Sequence, residues 1–230
     1  MSEISQVVQQ FSVWILPIII AVTMHEAAHG FVARLFGDRT ATIMGRVTLN
    51  PIKHIDPIGT ILLPAVCLLA PGGGVLFGYA KPVPVNFSAL RHPRRDTVFV
   101  ALAGPGTNIL LAIVSLALLH LAPMLPGAGV EWTERNLVNS ANINVVLAIL
   151  NMLPIPPLDG GRVLVAILPR PLALPLSRME GKGIMVLLLL LILLPFIGQQ
   201  IGMNLDIFRY IIGIPADWVL NQLATLTGVA

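Results

Sequence analysis

The chain has 230 residues, of which 56% are hydrophobic and only 11% charged, with a mean hydropathy of +0.85. A soluble domain carries about 25% charged residues, so this composition excludes a soluble enzyme, a nucleic-acid binder and a disordered regulator. It indicates a polytopic α-helical membrane protein formed as one embedded domain over residues 1–230, and the net charge of +3 is read as inner-loop charge, with no nucleic-acid partner.

The first predicted span runs from about Val8 to Phe36, with Pro17 expected to kink it. No Lys or Arg occurs in the first ten residues, so a cleavable signal peptide is not expected. Thr40 to Asn50 is rich in β-branched residues, with Gly45 at a possible turn, and reads as a strand. Ile58 to Ala70 is apolar but short and broken by Gly59 and Pro64; it holds Cys67, the single cysteine, which is read as a small buried hydrophobe. Val75 to Asn86 carries Pro82 and Pro84 two apart, which denies a helix and fits an extended edge strand. Further spans are expected at Thr97–Leu121, at about Ala141–Leu153 and at Gly183–Ile197. Ile207 to Leu223 is amphipathic, with Arg209 and Asp217, and reads as a last span or an interfacial helix. Trp14, Trp132 and Trp218 read as interface anchors, and the Arg94–Arg95 pair as an inner-face anchor.

Loop charge sets the expected topology. Eight Lys and Arg lie between Phe31 and Asp96, one between Leu121 and Ser140, and four between Leu158 and Lys182. The positive-inside rule then places the N-terminus outside, and it holds only if 58–70 is re-entrant rather than spanning. The predicted architecture is a three-helix catalytic core over about 8–168, with re-entrant elements and short inner-side β-hairpins. One or two C-terminal helices follow over about 183–225.

The first span ends with His25-Glu26-Ala27-Ala28-His29, an H-E-x-x-H sequence. Helical residues four apart lie on one face, so the two imidazoles can bind one zinc ion, while Glu26 is rotated into the general-base position. Such a short motif also arises by chance. An ionisable residue inside a span costs about 2.5–3.5 kcal/mol on insertion scales, so three within five positions favour a functional site. A catalytic zinc needs a third ligand. The carboxylate candidates are Asp56, Asp96 and Asp159. Asp159 stands out because the proline-rich stretch Pro154-Ile155-Pro156-Pro157 follows the third span and returns it to the level of His25 and His29; by itself it also reads as a helix N-cap.

The sequence resembles the site-2 protease family of intramembrane zinc metalloproteases. The matching pieces are His25 to His29, Ala103-Gly-Pro-Gly-Thr-Asn108, Asn151 to Gly161 and Gly78 to Asn86. They cover the chain from Val8 to about Leu168 and resemble the compact members, without PDZ or CBS modules. The resemblance implies that His25, His29 and Asp159 hold one zinc ion per chain and that Glu26 is the general base and later the proton donor. It also implies that Asn151 binds substrate backbone, and that the 79–86 loop, with Lys81, Pro82 and Val83, clamps substrate. Asn108 either contacts the site as a further substrate-binding residue or bonds across helices, the latter being the simpler reading, and Gly104 and Gly106 read as small residues for close helix packing.

The expected function is an intramembrane endopeptidase acting on transmembrane or signal-peptide-like proteins within the lipid bilayer, near the cytoplasmic side of a prokaryotic membrane. Two other functions compete. A membrane metal or haem binding or transport protein would use His25 and His29 without hydrolysis, but would show more polar residues through the spans and often internal repeats. A catalytically silent relative would not need an intact Glu26.

Overall fold

The computed structural model describes residues 3–56, 59, 81–127, 129–189, 193–200 and 205–229. Every regular element among them is helical. Three long helices organise the chain: α1 (Glu3–Leu35), α3 (Pro93–Leu119) and α4 (Gly129–Asn151). A short α2 (Thr40–Ile43) follows α1. After α4 come α5 (Asp159–Ile167), α6 (Arg170–Ser177), α7 (Glu180–Leu188) and α8 (Leu194–Gln200). A π-helical turn at Arg209–Gly213 leads into α9 (Ile214–Thr227), which ends on Gly228 in the left-handed region at φ +73°.

Helices α1, α3 and α4 all pack against one another, α5 lies on α3, and α9 covers α4 and α3. The packing is inverted relative to a soluble bundle. Thr23, His25, His29, Asn108, Ser115 and Asn144 are buried, while Ile15, Leu16, Ile20, Phe31, Leu110 and Val114 are exposed on the same helices. Polar groups inside and apolar groups outside minimise free energy only where the surroundings are apolar. Two helices, Ser12–Leu35 and Pro93–Leu119, are long and apolar enough to cross a membrane. Helix α4 has the length but carries Glu131, Glu134 and Arg135 in its first half. The expected span at 183–197 is divided between α7 and α8, and 190–192 lie outside the described residues.

The strand expected at Thr40–Asn50 is corrected by the structure. Residues 40–43 are helical, and no strand occurs among the described residues. The cause is local. Asp38 Oδ1 accepts the Thr40 N–H at 2.9 Å and its hydroxyl at 2.5 Å, and Asn50 Oδ1 accepts the Ile52 N–H at 3.1 Å. Such side-chain turns compete with a ladder and outweigh β-branched propensity. Gly45 does occupy a turn, at φ +63°. The predicted hairpin at 75–86 is described only from residue 81, and the re-entrant stretch at 58–70 lies outside the described residues except for residue 59. Within them, 81–86 is extended without a ladder partner, and Val85 and Phe87 pack on Ala33, Leu90 and Val100.

Candidate metal centre

The H-E-x-x-H turn lies in the last third of α1, facing α3 and the start of α5. His25 and His29 are 7% and 6% exposed, and Asp159, the first residue of α5, is 4% exposed. Their Nε2 atoms are 3.0 Å apart, and each is 3.3 Å from Asp159 Oδ2. No other group of three metal-binding side chains converges like this among the described residues.

The outer nitrogens identify what points inward. His29 Nδ1 is 2.7 Å from the Val100 carbonyl of α3. A carbonyl only accepts, so Nδ1 carries a proton, and in the neutral ring, the form that binds a metal, Nε2 is left as a bare lone pair. His25 Nδ1 is 2.6 Å from Asn108 Oδ1, with the same consequence. Asp159 Oδ2 is buried without a hydrogen-bond donor. With both rings neutral, three acceptors converge, an arrangement that a divalent cation neutralises. The donor set, two imidazoles and one carboxylate, suits zinc with a position left for water.

Glycines hold this geometry. A Cβ on Gly104 would lie 2.5 Å from His25 Cε1 and 2.6 Å from its Nε2, and closer still to His29 Nε2. Only glycine lets α3 approach the two rings. Gly160 and Gly161 play the same part behind Asp159: a Cβ on either would overlap the backbone of 152–156. Arg94 Nε donates to the Ala166 carbonyl at 2.9 Å, and its guanidinium also reaches the carbonyls of Ile167 and Leu168. It thus caps the far end of α5, a more specific role than the anchor expected of it. Arg162 stands 3.8 Å from Asp159 Oδ1 and lies over the Phe87 ring.

The remaining predicted residues are placed as follows. Glu26 Oε2 accepts the Val83 N–H at 2.6 Å, which brings the 81–86 segment against the general-base candidate. Val83 is buried, whereas Lys81 and Pro82 are exposed; the Lys81 N–H donates to the His54 carbonyl, and the Lys81 carbonyl accepts from Arg46 at 2.8 Å. Asn151 Nδ2 donates to the Leu147 carbonyl of its own helix at 2.9 Å. Asn108 is fully buried, with its Oδ1 at 2.6 Å from His25 Nδ1. Asp96 is tied to the His92 N–H and to Arg95, and is no ligand. Gly104 reads in sequence as a packing residue, and Asn108 as either a site contact or a bond across helices; their spacing of four, on one face of α3, is the signal that joins them. A mostly apolar cavity of about 290 Å³ opens beside the motif, lined by Met24, Ala27, Ala28, Phe31, Val47 and Thr107 among others.

The sequence pattern of peptidase family M50 matches residues 13–139 and 127–195. YwhC of Bacillus subtilis (strain 168), named as a zinc metalloprotease, is 39% identical over 182 residues, covering 77% of this chain and 79% of its own length. Rip2 of Mycolicibacterium smegmatis, named likewise, is 34% identical over 142 residues; the match takes in 62% of this chain and about half, 52%, of that relative. MJ0611 of Methanocaldococcus jannaschii, also named as a zinc metalloprotease, is 45% identical over 65 residues, 28% of this chain and 31% of its own length. No solved structure matches at a significant level.

Proposed function

The chain belongs to peptidase family M50, the site-2 protease family, and is a zinc metalloprotease, and from that premise we propose that it cleaves membrane-spanning or signal-peptide-like proteins within the bilayer, using one zinc ion held by His25, His29 and Asp159. The observation that carries this reading is the convergence of two imidazole nitrogens and a carboxylate oxygen at 3.0–3.3 Å among apolar helices.

When bound, zinc supplies a Lewis acid that makes water nucleophilic near neutral pH and polarises a peptide carbonyl. The chain's own residues do the rest. Val83 N–H holds one oxygen of Glu26, and the other makes no hydrogen bond among the described residues, so it is open to take the proton from the attacking water. Glu26 then passes that proton to the leaving amine. Asn151 is assigned to the substrate backbone near the scissile bond. The extended Lys81–Asn86 segment is assigned to receive the locally unwound substrate as an added strand, since a helical substrate offers no free backbone. Lys81 and Pro82 form its exposed end. The active site faces the cytoplasm and the N-terminus lies outside, a topology supported by the concentration of Lys and Arg between Phe31 and Asp96.

The test compares purified wild type with Glu26→Gln for bound zinc and for cleavage of a single-span reporter in detergent or liposomes. One zinc per chain is expected in both, and cleavage in the wild type alone. Equal cleavage by both removes Glu26 from the mechanism, and zinc retained after His25→Ala removes the ligand assignment.

A further inference from the structure

A line of buried polar groups leads away from the metal centre, starting at His25 Nδ1 and crossing two helices. Asn108 on α3 and Asn144 on α4 are both 0% exposed. Asn108 Oδ1 meets His25 Nδ1 at 2.6 Å, and Asn108 Nδ2 donates to Asn144 Oδ1 at 2.7 Å. Asn144 Nδ2 donates to the Ser140 carbonyl at 2.8 Å. Beyond it, the Ser140 and Ser115 hydroxyls are 2.7 Å apart.

The direction of this line is dictated by the main chain. A backbone carbonyl only accepts, so the end of Asn144 facing Ser140 must be the NH2 group. Its other end is then oxygen, and an oxygen demands a donor from Asn108. Asn108 therefore turns its NH2 toward Asn144 and its oxygen toward His25. The longer contact of Asn108 Nδ2 with the Ala21 carbonyl, at 3.4 Å, acts in the same sense. An oxygen at His25 Nδ1 keeps the proton there and leaves Nε2 bare. A reversed Asn108 amide would present N–H to Nδ1, forcing the ring proton to Nε2, where it would block a metal.

We propose that Asn144 is a positioning residue for the zinc site: it sets the amide of Asn108, and through it the tautomer and ring orientation of His25. This rests on the reading of His25 as a ligand. His29 is oriented separately by the Val100 carbonyl, so the relay serves one ligand alone.

The experiment uses the full chain in detergent and measures zinc affinity by chelator competition, the melting of the metal-free protein, and the ¹⁵N signals of the His25 ring without metal. Asn144→Leu should weaken zinc binding about ten- to hundredfold, as loss of outer partners does at metal sites, and should mix the His25 tautomers while leaving His29 unchanged. Asn108→Asp offers oxygen at both ends, so His25 no longer depends on amide direction; on that background Asn144→Leu should cost less than about threefold. Should Asn144→Leu not fold, Asn144→Ala carries the same expectations. An unchanged His25 tautomer in either variant, or an equal loss of affinity on both backgrounds, overturns the proposal. Zinc binding that survives His25→Ala instead overturns the ligand assignment on which it stands.

Discussion

Replacing Gly104 with alanine adds one methyl group where the site has no room for it. The new Cβ would stand 2.5 Å from His25 Cε1 and nearer still to His29 Nε2, against an ordinary contact of at least 3.4 Å. Helix α3 or the two rings must therefore yield by about 1 Å. Metal–ligand distances tolerate only about 0.2 Å, and forced overpacking costs about 1–3 kcal/mol. That range corresponds to a loss of zinc affinity of about five- to 150-fold. Gly106, two residues on, is the internal control: a Cβ there meets nothing within 4 Å. Gly106→Ala should bind zinc normally and be neutral or more stable by up to about 1 kcal/mol, the usual helical gain over glycine. Chelator competition on the purified proteins, with melting of the metal-free forms, separates binding from folding. Wild-type zinc affinity in Gly104→Ala, or equal losses in both variants, would refute the close-approach argument.

Two further outcomes follow from the 81–86 segment and its clamp. Val83→Pro removes the N–H that holds Glu26 Oε2 at 2.6 Å, while Val83→Ala keeps it; the first should slow reporter cleavage about tenfold or more with zinc content unchanged, on the worth of one hydrogen bond to a charged group, and the second should not. Burial alone would raise the Asp38 carboxyl, but bonds from the Thr40 N–H and hydroxyl and from the Asn86 N–H hold it below its ordinary value. Its stabilisation is therefore complete above about pH 4 and fades as pH falls through the depressed value. Asp38→Asn should flatten the acid side of the stability–pH curve measured in detergent; an unaltered acid slope would show that the clamp contributes nothing.

Sequence alone determined the membrane class, the helix bearing His25, Glu26 and His29, and the choice of Asp159 among three carboxylates. The first two are matters of composition and of spacing along one element, where helical periodicity turns spacing into a shared face; Asp159, on another helix, stood out through the proline-rich stretch before it and through the family resemblance. It could not give the local path of 40–50, because β-branched propensity is weak beside the side-chain turns of Asp38 and Asn50. Nor could it rank the small and polar residues of α3. Gly104 and Gly106 look alike in sequence, yet one abuts both imidazoles and the other faces open space. Asn108 reads as a site contact or a bond across helices, and Asn144 carries no signal of its own, until packing aligns their amides behind His25. The direction of a hydrogen bond and the room for a methyl group belong to distances between helices, and those distances are set only when the helices meet.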